Sequence, residues 1–145
     1  MTTRLFLLTA GLLAAIALPG NAAKGDTAAT PASGQYGYVT KVPASTTTDA
    51  TSPQIFEIDM NAQQLNAPGP LAIRVLTSPN VAAVYAHVAG QTFGIPLVQS
   101  GHFELAAQLP TLPASARGRN YTFDFEAVTS DQKRATADVA VFLAP

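Results

Sequence analysis

The 145-residue chain contains no cysteine and no tryptophan. The missing thiol excludes a disulfide framework, thiol redox chemistry, a lipid anchor carried on cysteine and every thiolate metal site. Charge is scarce as well. Eight basic and nine acidic residues leave a formal charge of −1, without the basic footprint of a nucleic-acid binder. Within residues 54–145 no segment places apolar residues at helical spacing over about ten positions, and no run in the chain reaches the roughly 18 apolar residues that span a bilayer. The Gly-x-Ser-x-Gly elbow, the phosphate loop, the dinucleotide fingerprint and the HExxH zinc motif are all missing. What the chain has instead is turn formers. Eleven prolines and ten glycines argue for strands joined by turns within one domain, not for a helical bundle.

Three zones follow in order. Residues 1–23 read as a signal peptide: Arg4 supplies the positive start, and the 14-residue apolar run 5–18 fits an h-region. Pro19 and Gly20 then end any helix, and the small residues before Lys24 suit cleavage after Ala22 or Ala23. The mature chain is therefore expected to be exported, to the periplasm or to the cell surface and beyond, with no stable membrane insertion after cleavage. Residues 24–53 read as a flexible tail, because 21 of the 30 are Thr, Ala, Ser, Pro or Gly and none is Leu, Ile or Phe. Such a stretch buries too little apolar area to offset the entropy of ordering it. One island, residues 35–42, carries Tyr36, Tyr38, Val39 and Val42 and has strand character. It is either part of a spacer or a strand that adds to a sheet edge, in its own domain or in a partner.

Residues 54–145 alternate with period two in seven runs: 54–60, 71–77, 81–89, 92–98, 102–108, 119–129 and 133–143. Pro, Gly, Asn or Asp punctuates each junction. Seven short strands in about 90 residues predict an all-β, antiparallel two-sheet sandwich. Pro96 cannot donate to a central ladder, so the fourth run is expected at an edge. The segment Arg119-Asn120-Tyr121-Thr122-Phe123-Asp124-Phe125-Glu126-Ala127 resembles the sixth strand of immunoglobulin-like and fibronectin type III domains. That resemblance implies a tyrosine corner, with the Tyr121 hydroxyl bonded to the backbone near Leu112 or Pro113. It also implies that the first, second and fifth runs form one sheet and the other four the second.

Alternation sorts the faces. Phe56, Ile58, Met60, Leu71, Ile73, Val75, Val84, Ala86, Val88, Phe93, Ile95 and Leu97 are expected inward. So are Phe103, Leu105, Tyr121, Phe123, Phe125, Ala127, Val139, Val141 and Leu143. The outer face of the larger sheet then carries Tyr85, His87, Asp124, Glu126, Val128, Asp138 and Phe142. The smaller sheet shows Glu57, Asp59, Arg74, His102 and Glu104. The two histidines fall on opposite faces, which disfavours a shared zinc or copper site. The acidic pairs Glu57/Asp59 and Asp124/Glu126 read as solubilising positions on exposed strands, not as a glycosidase pair. Aromatic side chains beside acids are what an interaction surface needs. The expectation is a non-catalytic exported module, without cofactor or metal. It would bind a protein or glycan partner through Tyr85, His87, Asp124, Glu126, Asp138 and Phe142. The alternatives are an assembly subunit joined by strand addition and a periplasmic metal carrier.

Overall fold

The protein is described by a computed structural model over residues 36–145. The expected leader and the expected tail up to residue 35 lie outside the described residues. The strands are β1 (Tyr38–Lys41), β2 (Ile55–Met60), β3 (Gln64–Leu65), β4 (Gly69–Thr77) and β5 (Val81–Val88). They continue as β6 (Gln91–Ile95), β7 (Leu97–Gln99), β8 (His102–Leu109), β9 (Arg119–Thr129) and β10 (Arg134–Leu143), with one 3-10 turn at Ala114–Ala116. Two five-stranded sheets result, ordered β1-β2-β4-β8-β7 and β3-β10-β9-β5-β6.

The expected partition recurs: β2, β4 and β8 share one sheet, and β5, β6, β9 and β10 share the other. The strand count does not. Ten strands stand where seven were expected among the described residues, for three local reasons. The island in the expected tail forms β1, antiparallel to β2 from Tyr38↔Met60 to Lys41↔Glu57. It is recruited because Tyr38 and Val42 pack against the core, which the low apolar content of residues 24–53 as a whole conceals. The two-residue β3 pairs parallel to β10, so the sheets are not wholly antiparallel. The run 92–98 divides at Pro96 into β6 and β7, which lie at the edges of different sheets. A residue without an N–H suits the crossing point, where ladder bonding must stop.

Both sheets contribute to one apolar cluster. Ile58, Ile73, Val75 and Phe103 come from one, and Val84, Phe125 and Val139 from the other. Each such side chain, fully buried, contributes about 1.5–3 kcal/mol, and the two layers thus make a sandwich-like fold. Two expected core residues are exposed. A bulge between Ile55 and Glu57 turns Ile55 inward and leaves Phe56 46% exposed. Leu97, at a sheet edge just past Pro96, is 55% exposed. Tyr121 is only partly buried, and its hydroxyl donates to the Ala116 carbonyl at 2.8 Å. The acceptor therefore lies in the 3-10 turn, not at Leu112 or Pro113 as expected.

Candidate functional site

The outer face of the sheet β3-β10-β9-β5-β6 is built in rows across the strands. One row runs Gly94, Tyr85, Glu126, Thr136, and the next runs Thr92, His87, Asp124, Asp138. Register therefore brings Tyr85, His87, Asp124, Glu126 and Asp138 side by side. Tyr85 is 40% exposed, and its row neighbour Gly94 has no side chain to cover it. Glu126 is neutralised by Arg134 at 2.8 Å and lies 3.5 Å from His87 Nε2. His87 Nδ1 is fixed by the Thr92 hydroxyl at 2.7 Å. Asp124 and Asp138 stand directly opposite one another, and neither has an ion-pair partner among the described residues. Like charges placed so destabilise a sheet.

Phe142 shares this face but stands apart. It lies four residues along β10 from Asp138, about 13 Å away at strand spacing. Its row is Asn120, Phe142, Gln64. Val128, expected on the exposed face, is buried, flanked in register by Ala83 and Arg134.

The opposite outer face, on β1-β2-β4-β8-β7, holds a charged cluster that alternation only half predicts. Asp59, Arg74 and Glu104 align across β2, β4 and β8. Arg74 Nε donates to Asp59 Oδ2 at 2.7 Å, and Lys41 Nζ donates to Glu57 at 3.0 Å. His102 Nε2 lies 2.7 Å from Glu104 Oε1. Far from being a solvated stripe, Asp59 is 0% exposed and Glu104 is buried. Val39 of β1 stands directly opposite Asp59, and the segment before β1 packs beside the cluster. Gly37 donates its N–H to the Asn61 carbonyl at 3.2 Å, an approach so close that a Cβ on Gly37 would meet that oxygen at 2.9 Å. The Tyr36 ring then lies over the Arg74 guanidinium at 4.6 Å, a cation–π contact.

Burial pushes the Asp59 carboxyl upward against the pull of Arg74, whereas the hydrogen bond from Lys41 lowers Glu57. Burial, with Glu104 nearby, raises the Tyr36 phenol to about 12. Tyr36 OH, Asp59 Oδ1 and Glu104 Oε2 are buried without a hydrogen-bond partner. The signal available in the sequence was the strand character of residues 35–42. It did not say which face that segment would cover.

His87 and His102 occupy the outer faces of different sheets. Among the described residues no group of three His, Asp or Glu side chains is placed to hold a metal ion, and no helix is long and apolar enough to cross a membrane.

No protein-family model and no curated protein matches the chain. Among solved structures it is similar to a DUF4785 family protein from Legionella pneumophila, with a TM-score of 0.50 and 18% identity. The match covers 61% of this chain and 28% of that one. The likeness is one of all-β fold, to a part of a longer protein.

Proposed function

We propose that the protein is a non-catalytic, exported binding module of the immunoglobulin-like or fibronectin type III-like class. It recognises a protein or glycan in the cell envelope or outside the cell through the outer face of β10, β9, β5 and β6. The observation that carries this reading is the adjacency of exposed Tyr85 and half-buried His87 to the exposed Asp124 and Asp138. An aromatic anchor beside desolvatable acids supplies contact area together with charge selectivity. The opposed aspartates destabilise the sheet by themselves, and a partner bearing cationic or hydroxyl donors between them removes that penalty. Support for the fold class comes from the partition β2-β4-β8 against β10-β9-β5-β6 and from the Tyr121 bond to the preceding connection. Support for export comes from the pattern of residues 1–23.

Capture from envelope and culture fractions tests the reading, with the mature chain as bait beside a Tyr85→Ala/His87→Ala variant and a Phe56→Ala control. The expected result is a partner held by parent and control and lost by the double variant. A partner held equally by all three baits overturns the assignment of the surface.

One observation favours assembly by strand addition as a second reading. β7 is an edge strand with Leu97 and Val98 both exposed, the condition in which an edge templates another strand. Under this reading Val98→Lys abolishes self-association in light scattering.

A further inference from the structure

Within the same sheet face, we infer that the Phe142 end is a subsite for a neutral pyranose ring. The inference rests on the reading of that face as a binding surface and adds the chemical class of the ligand.

Phe142 is flanked in register by Asn120 on β9 and Gln64 on β3, one strand spacing away on either side. With Gln63, Ala140 and Val141 these residues line a recess of about 250 Å³. The ring is half-buried, and Gln63, Gln64 and Asn120 are exposed. None of the three carboxamides makes a side-chain hydrogen bond among the described residues, so each has an acceptor oxygen and two donor hydrogens free. The backbone beneath them is fixed: Phe142 N–H donates to the Gln63 carbonyl at 2.9 Å, and Ala144 N–H to the Leu65 carbonyl at 2.9 Å.

The recess has no charged residue in its lining, and the row of Asp124 and Asp138 on the same face is about 13 Å away along β10. An apolar ring between groups that both donate and accept matches a ligand with an apolar face and a rim of hydroxyls. A saccharide ring presents that combination: its C–H face lies on the aromatic ring, and its hydroxyls exchange hydrogen bonds with the amides. An ionic ligand finds no countercharge here. A purely apolar one would leave the amides facing it unpaired. The size of the recess limits it to one ring, which sets the expected affinity in the millimolar range.

The test is a titration of the 15N-labelled mature chain with methyl glucopyranoside, N-acetylglucosamine and their β-1,4-linked disaccharides. The backbone amide resonances of residues 64, 120 and 142, present in every variant, are followed. Shifts of those resonances that saturate at millimolar concentration are expected with at least one of the four sugars. Phe142→Leu, which keeps an apolar side chain, should weaken binding about tenfold. Gln64→Ala/Asn120→Ala, at exposed positions, should abolish it without unfolding the chain. Tyr85→Ala/His87→Ala should leave the sugar titration unchanged, so that failure here and failure of the wider reading are told apart. Absence of saturable shifts with all four sugars, or binding that persists in Gln64→Ala/Asn120→Ala, overturns the subsite.

Discussion

Arg74 shows how much one side chain determines in this fold. It is the partner that keeps the fully buried Asp59 carboxylate from standing alone. Arg74→Ala leaves that charge uncompensated, and the expected loss is about 3–5 kcal/mol, read as a lower urea midpoint. Replacing both partners, as Asp59→Leu/Arg74→Met, should restore most of it, because desolvation of the pair offsets much of its attraction. Tyr36 gives a pH signature. Its phenol rises from an ordinary 10.0 to about 12 in the fold. Above pH 10 the unfolded chain therefore releases a proton that the folded chain retains, and stability falls as pH climbs toward 12. Tyr36→Phe should lose less stability between pH 9 and pH 11 than the parent does, by denaturant unfolding at each pH. At neutral pH the same variant should be no less stable, since the hydroxyl it removes has no partner.

At the scale of elements, turns and edges decide the register. Gly101, between β7 and β8, has φ +74, and a Cβ there would meet the Thr77 carbonyl at 2.7 Å. Gly101→Ala is expected to cost about 1–3 kcal/mol, measured as a fall in the denaturant midpoint at unchanged m-value. Alternation identified β2, β4, β5, β8, β9 and β10, because inward Ile, Val and Phe recur every second residue whatever their distant neighbours are; their division between sheets followed only from the resemblance carried by residues 119–127. It misplaced Phe56, because a bulge inserts a residue that period two cannot register. It read Asp59 and Glu104 as solvated, because their burial depends on Tyr36, which lies more than twenty residues upstream of Asp59 in the chain. The tail island was legible as a strand former. That its place was in this sheet was not, since edge pairing depends on what Tyr38 and Val42 meet on folding. Deleting residues 36–42 should accordingly destabilise the domain and expose Asp59, which a binding module with a truly free tail would not show.

For the whole molecule, the two outer faces have different characters. One carries Tyr36 over an ion-paired charge cluster, with Val39 and Phe56 exposed beside it. The other is open, with Tyr85, Asp124 and Asp138 facing solvent. Five of the six residues singled out from the sequence meet on that open face in two adjoining rows. The sixth, Phe142, marks a separate row with its own chemistry. The open face carries unpaired acid, so association with a cationic partner should weaken as ionic strength rises. Asp124→Asn/Asp138→Asn should flatten that salt dependence and also raise thermal stability slightly, by removing the opposed charges. The most direct measurement is the affinity of a captured partner for a set of single variants on the two faces, at fixed salt. Tyr85→Ala is expected to weaken binding by tenfold or more, about 1.4 kcal/mol, while Val39→Ala and Phe56→Ala, at exposed positions of the other sheet, leave it unchanged. Loss of affinity in Val39→Ala and Phe56→Ala, with Tyr85→Ala at parental strength, would contradict the account.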